Sequence, residues 1–268
     1  DQDTRGIPSI CSFGKGVNPM SQLHTEQRGN GEGIVHPFGP LDSERIKEGL
    51  KGRDCLTLHE FSTEEIQWLL VHALELKKMQ KEGKPHPFLA GKVLGMIFEK
   101  PSTRTRVSFE AGMIQLGGQA IFLNRGDIQL SRGESMDDTA KVLSRYVDGV
   151  MVRTFSHAGL EAFAEAATVP VINGLTDSHH PVQVLADLLT ILEHKGRLAG
   201  LKMAYVGDGN NMAHSLIEGA VKVGMHIAVA TPEGYEPDDS IVSRAKEVAQ
   251  KSGSQVAIGH DPQEAVTG

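Results

Sequence analysis

Cysteine is scarce in this sequence of 268 residues, which contains only Cys11 and Cys55. Two cysteines allow at most one disulfide, so a small domain held together by a disulfide framework is excluded. We expect both thiols to be reduced, as in a cytosolic protein. Long apolar runs are also lacking, because no stretch approaches the roughly 20 residues that a membrane-spanning helix needs. We therefore expect no membrane partner.

A surplus of basic residues is lacking as well. The chain has 27 Lys and Arg residues against 34 Asp and Glu residues, which gives a net charge of −7. This balance argues against a nucleic-acid partner, because nucleic-acid binders normally carry a basic surplus. It does not exclude an anionic substrate, because a local cluster of arginines can make the electrostatic potential inside one cleft positive. The start, Asp1-Gln2-Asp3, resembles neither a secretory signal nor an Arg-rich presequence, so we expect a cytoplasmic protein.

Length and composition predict two domains, since a domain takes about 100–200 residues. Residues 1–42 are rich in Gly, Pro, Ser and Asn and show no sustained period, which predicts a disordered or atypical leader. We expect a first domain over residues 43–180 and a second over 196–268. A helix over residues 181–195 is expected to bridge them.

Apolar periodicity predicts strands that alternate with helices, a pattern typical of parallel sheets covered by helices. We predict two doubly wound α/β domains, the second of them truncated. The predicted strands are residues 92–99, 119–123, 149–153, 169–173, 202–206, 226–230 and 255–258. Three predicted helices are defined by their starts, at the Ser62 capping box, after the break at 101–103 and near residue 135. Four more are predicted over residues 158–167, 181–195, 212–223 and 239–251.

The most informative segment is FEKPSTRTR at residues 98–106, which follows a predicted buried strand. Free backbone N–H groups at a helix start favour a phosphate. Arg adds a permanent charge and a forked donor, and the Ser and Thr hydroxyls can donate as well. We therefore predict a phosphate site at Ser102, Thr103, Arg104 and Thr105. The simpler alternative is that Ser102 only caps a helix and the arginines are solvated.

Three further polar residues follow predicted strands, so they could face the same crevice. Arg153 could polarise a carbonyl oxygen and stabilise charge that develops on it. His180 could do the same or handle a proton, and Gln183 could accept from an amide NH₂ group. The alternatives are a surface ion pair for Arg153 and a helix cap for His180.

The segment GDGNN at residues 207–211 lies between a predicted strand and a predicted helix. Its glycines resemble a dinucleotide fingerprint, but position 212 is Met where the third glycine would stand. A nicotinamide-dependent dehydrogenase is therefore one alternative. Asn210 and Asn211 suit a small ligand with ammonium and carboxylate groups, or they cap the helix.

Taken together, these segments resemble the carbamoyltransferase family over roughly residues 51–268. The shared motifs are STRTR at 102–106, MVRTF at 151–155, HPVQ at 180–183 and LADLL at 185–189. The segments GDGNN at 207–211 and TPEGYEP at 231–237 resemble the ornithine branch of the family. Val182 stands where many members have Cys, a change that we expect to be tolerated.

The resemblance implies transfer of a carbamoyl group from carbamoyl phosphate to the side-chain amine of ornithine, giving citrulline in arginine metabolism. It implies no metal or organic cofactor, and a homotrimer with active sites near the subunit interfaces. By motif position, the phosphate would be bound by Ser102, Thr103, Arg104 and Thr105, and the carbamoyl end by Arg153, His180 and Gln183. Gln129 would be a further contact to carbamoyl phosphate. Asn211 would contact the α-amino-acid end of ornithine. Thr105, Arg153 and His180 would stabilise the oxyanion.

The family's later motifs are absent from this sequence: an Asp and a Ser-Met-Gly loop for ornithine, and a Cys-Leu-Pro segment. We therefore expect either a C-terminally incomplete enzyme or a protein that binds carbamoyl phosphate without turnover. A carbamoyltransferase for putrescine, acetylornithine or aspartate is the remaining alternative.

Overall fold

A computed structural model describes residues 37–124, 126 and 134–268 of the chain. Most of the predicted leader, residues 1–36, lies outside the described residues, and so does Gln129. The strands are β1 (Val93–Phe98), β2 (Gln119–Asn124), β3 (Gly149–Arg153), β4 (Val171–Leu175), β5 (Lys202–Val206), β6 (His226–Ala230) and β7 (Val256–Gly259). The helices are α1 (Ser43–Leu50), α2 (Thr63–Lys81), α3 (Thr103–Gln115), α4 (Met136–Leu143), α5 (His157–Ala166), α6 (Pro181–Lys195), α7 (Asn211–Lys222), α8 (Asp239–Ser252) and α9 (Pro262–Val266).

The strands form two separate parallel sheets, which confirms the predicted α/β fold class. The first sheet has the order β2-β1-β3-β4 and the second has the order β5-β6-β7. Every pair of neighbouring strands in both sheets is parallel. Parallel strands need a crossover between them, which the intervening helices supply.

Local signals explain where several helices begin. Ser62 accepts a hydrogen bond from the Glu65 backbone N–H at 3.1 Å, and the Glu65 carboxylate accepts from the Ser62 N–H at 2.7 Å. This is the predicted capping box at the start of α2. Pro181 is the first residue of α6, where its fixed φ suits a helix and no N–H is needed.

The predicted strands lie within two residues of the observed ones, and β4 shows the largest shift. The fourth strand begins at Val171 rather than 169, because Pro170 has no N–H for the ladder and the Val171 N–H donates to the Asp54 carboxylate at 2.7 Å. Helix α1 was not predicted, since Ile46 is its only buried residue and leaves little periodic signal. Its start is fixed by Asp42, which accepts from the Arg45 N–H at 3.1 Å.

A bulge adjusts the first sheet at the ends of β3 and β4. Phe98 of β1 is in register with Arg153 of β3, and Arg153 is in register with Leu175 of β4. The pairing shifts between Val152 and Arg153, so that β4 has one extra residue, Gly174. A Cβ at Gly174 would lie 2.3 Å from the Met151 sulfur, which explains why glycine occupies the bulge.

Helix α6 packs against elements on both sides of it. Leu188 of α6 belongs to the same buried cluster as Leu70 of α2 and Ile217 of α7. The cores of the first sheet are separate clusters, centred on residues such as Phe163 and Met96. None of the described helices has the length and apolarity that crossing a bilayer requires.

Close packing between α6 and α7 makes Gly219 a sensitive position. A Cβ at Gly219 would lie 2.6 Å from Cγ1 of Val184 and 3.0 Å from Cδ1 of Leu58. We expect Gly219→Ala to lower the free energy of unfolding by about 1–3 kcal/mol, the usual cost of overpacking a core. Urea denaturation followed by circular dichroism measures the change.

Gly112→Ala is the matched control, because Gly112 also lies within a helix but a Cβ there would meet nothing within 4 Å. This substitution should stabilise the chain by roughly 0.5–1 kcal/mol through helix propensity alone. Equal effects of the two substitutions would contradict the packing argument.

Candidate active site

An open cleft of about 630 Å³ lies at the carboxyl ends of the strands of the first sheet. Ligands in open α/β sheets commonly bind at this edge. Six of the residues singled out from the sequence line the cleft: Ser102, Arg104, Thr105, Arg153, His180 and Gln183. The structure therefore brings together three segments that are far apart in the chain.

The start of α3 presents hydroxyls and backbone donors to the cleft. Ser102 is the N-cap, and its Oγ accepts from the Thr105 backbone N–H at 3.2 Å. The Ser102 hydroxyl also donates to Oγ1 of Thr105 at 3.0 Å. No acidic residue lies in the first turn of α3, so the positive end of the helix dipole is not offset locally. The capping role proposed as the simpler alternative is real, and it is compatible with anion binding.

Arg153 enters the cleft from the end of β3. Its guanidinium donates to Oγ1 of Thr105 at 3.5 Å, and its Nε is buried without a hydrogen-bond partner among the described residues. No carboxylate in the described part of the chain forms an ion pair with it, so it is not a surface ion pair. Burial, and then the charge of Arg104, lower the pKa of Arg153. Arg104 and Arg153, which form no ion pair among the described residues, therefore face the same space, and Asp187 also lines it. This surplus of positive charge favours an anionic ligand.

His180 is the N-cap residue of α6, but its side chain makes no capping hydrogen bond. The residue is only 8% exposed, and its Nδ1 has no partner among the described residues. Burial, and then the charge of Arg153, lower the pKa of His180 to about 4. The imidazole is therefore neutral at pH 7, so it acts as a hydrogen-bonding group rather than as a cationic acid.

Gln183 lies one turn into α6, on the side facing the cleft. Its Nε2 donates to Oδ1 of Asp187 at 2.9 Å. This contact orients the amide and leaves the Gln183 carbonyl oxygen as an acceptor toward the cleft.

The remaining predicted residues lie elsewhere. Thr103 is exposed in the first turn of α3 and does not line the cleft. Asn210 is the cap of α7, since its Oδ1 accepts from the Met212 N–H at 3.0 Å. The Asn211 side chain donates to the Thr176 carbonyl at 2.6 Å rather than facing the cleft directly. Arg106 pairs with Glu110 at 3.0 Å, away from the cleft.

Close packing explains one of the two glycines in the GDGNN loop. A Cβ at Gly209 would lie 2.3 Å from the backbone nitrogen of Pro237, and the Gly209 N–H donates to the Tyr235 carbonyl at 2.8 Å. Glycine is therefore required here by the approach of the segment 235–237. Packing alone thus accounts for the second glycine of the loop.

A buried polar face on α7 was missed from the sequence. His214, Ser215 and Glu218 are nearly inaccessible, and they contact the loop that carries His180. The signal that could have revealed them is their helical spacing with Asn211, on a helix whose other buried residues are mainly apolar. Among residues 37–124, 126 and 134–268, no three His, Cys, Asp or Glu side chains are arranged to hold a metal ion.

Comparison with known protein families gives two matches along the chain. The carbamoyl-P binding domain of aspartate/ornithine carbamoyltransferase matches residues 53–193. The Asp/Orn binding domain of the same family matches residues 199–268. Of the residues that line the cleft, all but Met212 fall within the first match.

Individual relatives and solved structures agree with these matches. An ornithine carbamoyltransferase from Anoxybacillus flavithermus is 59% identical over 217 residues, which are 81% of this chain and 69% of that protein. One from Carboxydothermus hydrogenoformans is 58% identical over 218 residues, again 81% of this chain and 70% of that protein. The structure of ornithine carbamoyltransferase from Pyrococcus furiosus aligns with a TM-score of 0.80 at 55% identity, covering 81% of this chain and 70% of the other.

The environment of His180 predicts an unusual titration. The ordinary histidine pKa of 6.5 falls to about 4 in the folded chain, so the unfolded chain binds the proton more readily. The stability that depends on neutral His180 should be complete above pH 6.5, decline as the pH falls, and be lost below about 4. The Hε1 resonance of His180 can be assigned by its absence from the spectrum of His180→Gln. At pH 5.5 its chemical shift should still be that of a neutral imidazole. A midpoint above pH 6 would contradict this prediction.

Proposed function

Because this chain belongs to the aspartate/ornithine carbamoyltransferase family, we propose how its own residues carry out the reaction of the ornithine branch. The chain transfers the carbamoyl group of carbamoyl phosphate to the side-chain amine of L-ornithine, forming L-citrulline and phosphate. The single observation that best supports the assignment of residues is the meeting of the 102–105 turn, Arg153 and His180 in one cleft. The roles given below are part of this proposal.

The phosphate of carbamoyl phosphate binds at the start of α3. Backbone N–H groups of the first turn and the Ser102 hydroxyl donate to its oxygens, Thr105 lies beside them, and Arg104 supplies a fixed positive charge. Thr103, which is exposed and does not line the cleft, is proposed as a contact on the basis of its motif alone. The absence of acidic residues from this turn supports the assignment. Gln129, which lies outside the described residues, is proposed as an additional contact on the basis of its motif alone.

The carbamoyl group binds between β3 and α6. Arg153, His180 and Thr105 donate to the carbonyl oxygen, while the Gln183 carbonyl accepts from the carbamoyl NH₂. Two observations support this arrangement: Arg153 Nε has no hydrogen-bond partner among the described residues, and Gln183 is hydrogen-bonded to Asp187. Asn211, at the start of α7, is proposed to contact the α-amino-acid end of ornithine.

The reaction is addition of an amine to a carbonyl, followed by loss of phosphate. The ornithine side-chain amine resembles that of Lys, which has a pKa of about 10.4. At pH 7 only on the order of one molecule in a thousand therefore has a neutral side-chain amine. The site must favour this neutral form through desolvation or a nearby acceptor. The amine nitrogen then attacks the carbamoyl carbon, and the new N–C bond places negative charge on the carbonyl oxygen.

The tetrahedral intermediate collapses when the bond from the carbamoyl carbon to the phosphate oxygen breaks. The electron pair leaves with the phosphate oxygen, which takes up the proton that the amine nitrogen loses, so the products are hydrogen phosphate and citrulline with a neutral ureido group. Preorganised donors to such an oxyanion typically contribute about 2.7–4 kcal/mol each to lowering the barrier. Neutral His180 suits this role because it can donate without repelling Arg153. We propose that the domains 43–180 and 196–268 close around both substrates, with the helix 181–195 between them.

Removal of the Arg104 guanidinium should abolish tight binding of carbamoyl phosphate. Charge-assisted hydrogen bonds contribute about 1.5–3 kcal/mol each, so Arg104→Ala should weaken binding by on the order of a hundredfold in isothermal calorimetry. Citrulline formation by the variant should fall in parallel. Unchanged affinity would refute the phosphate assignment.

Arg106→Ala is the matched control, because Arg106 has the same charge two residues away but is held by Glu110 and the Phe122 ring. Its affinity for carbamoyl phosphate should stay within about twofold of the parent.

Ornithine should be carbamoylated in preference to putrescine, acetylornithine and aspartate. A chain that binds carbamoyl phosphate but forms no citrulline would contradict the proposed function.

We also propose that the chain assembles as a homotrimer. Apolar side chains are exposed on α3 and on the edge strand β2, among them Ile114, which is 70% exposed, and Ile121. Such side chains suit burial between subunits.

Sedimentation equilibrium should give three times the chain mass, and Ile114→Asp should lower the measured mass. Val266→Asp, which alters a similarly exposed residue on α9, should not.

The site of action is proposed to be the cytoplasm, because the motifs resemble those of bacterial members of the family. Recovery of the protein in a membrane or periplasmic fraction of its source cells would contradict this.

A further inference from the structure

One face of α7 contacts the loop formed by residues 176–180. Its members are Asn211, His214, Ser215 and Glu218, which we call the α7 polar stripe. Residues three, four and seven positions apart lie on one side of a helix, so all four can reach the same partner. The loop runs from the end of β4 to His180, and α7 belongs to the part of the chain that matches the Asp/Orn binding domain.

Three members of the stripe hold the loop backbone directly. The Asn211 amide donates to the Thr176 carbonyl at 2.6 Å. The His214 Nδ1 contacts the Ser178 carbonyl at 2.9 Å. The His180 backbone N–H donates to the Ser215 hydroxyl at 2.8 Å, and Ser215 is completely buried.

His214 also ties the loop to the following helix. Its Nε2 accepts from the Asp238 backbone N–H at 3.0 Å, so Nδ1 must be the donor toward Ser178. One ring thus donates on one side and accepts on the other, which fixes the neutral tautomer. Burial lowers the pKa of His214, in keeping with this neutral form.

The fourth member, Glu218, lies against the residue next to His180. Its Oε1 is 3.4 Å from Nε2 of His179, and the two residues are 3% and 4% exposed. Neither carboxylate oxygen has a hydrogen-bond donor among the described residues. A carboxyl group buried in this way costs stability unless it is paired, and the imidazole of His179 is the contacting group that can pair with it.

Core packing does not require these polar groups. The opposite side of α7 already packs through Ile217 and Leu216 into the cluster that includes α6. Apolar side chains would pack against the loop without fixing the position or the orientation of its backbone. Hydrogen bonds of set length to Thr176, Ser178 and His180 do fix both.

We propose that the α7 polar stripe positions His180 for contact with the carbamoyl group, with Ser215 and the Glu218–His179 pair as its central elements. These are positioning residues, because they act through the loop and do not line the cleft. The inference rests on the proposed function, since it requires that His180 contact the carbamoyl end of carbamoyl phosphate. The phosphate end is proposed to bind at the start of α3, with which no stripe residue forms a hydrogen bond or an ion pair in the described part of the chain.

This division between the two ends of the substrate supplies the test. The affinities of the full chain for carbamoyl phosphate and for inorganic phosphate are measured by calorimetry, in the parent and in the variants Ser215→Ala and Glu218→Gln. Ser215→Ala should bind carbamoyl phosphate about three- to tenfold more weakly, the range expected for loss of one hydrogen bond of typical net strength. Glu218→Gln, which replaces the carboxylate that contacts His179, should also weaken the binding of carbamoyl phosphate. Affinity for inorganic phosphate should stay within about twofold, because its donors are unchanged.

Two variants serve as matched controls. Ser254→Ala removes another buried serine hydroxyl of the second domain, which contacts Ser252 at 2.8 Å. Glu193→Gln neutralises another largely buried carboxylate, which pairs with Lys77 at 2.6 Å near the far end of α6. Both controls should bind the two ligands as the parent does, and melting temperatures report whether any variant loses its fold.

The possible outcomes separate the hypotheses. Selective loss of affinity for carbamoyl phosphate in Ser215→Ala and Glu218→Gln supports positioning of His180. Parallel loss of affinity for both ligands, or no loss for either, overturns it. A parent chain that binds inorganic phosphate but not carbamoyl phosphate would overturn the proposed function itself, and with it the inference.

Discussion

The parallel direction of β1, β3 and β4 is the constraint on which the candidate site depends. Because all three strands point the same way, their carboxyl ends lie at one edge, with Phe98, Arg153 and Leu175 in register across the sheet. Each following segment must then enter the same space above that edge. The 102–105 turn follows β1, Arg153 ends β3 and His180 follows β4 after a short loop. Without this common direction, residues so distant in sequence would not share a cleft.

The 102–105 turn and the fold could be predicted from sequence because their signals are local. A buried apolar strand, a proline break and a capping serine within a few residues define the start of α3 without reference to the rest of the chain. The bounds of α6, β5 and β6 match their predictions for the same reason, since Pro181 and compact apolar runs mark them. Elements with weak local signals were missed. Helix α1 buries one side chain, and α9 has only five residues.

The supporting contacts of the site could not be predicted because they join distant segments. Asn211 carries a ligand-binding motif, yet its amide is committed to the Thr176 carbonyl, a contact that requires knowledge of how α7 docks on the loop. The bulge at Gly174 likewise depends on the pairing of two strands. His180 illustrates both cases. Its motif indicates a role in binding, but only its burial and its proximity to Arg153 show that it is neutral at pH 7.

Neutrality and fixed position are linked in His180. A neutral imidazole offers a weaker hydrogen bond than an imidazolium, so its contribution depends more on geometry than on charge. Burial produces the low pKa, and the loop that carries His180 is hydrogen-bonded to Ser215 and His214 of α7. We infer that these two contacts favour both the placement and the neutral form of His180. The helix that carries these contacts begins at Asn211, the residue proposed to meet ornithine. Helix α7 thus connects Asn211, which is proposed to contact ornithine, with the loop that carries His180, which is proposed to polarise the carbamoyl group.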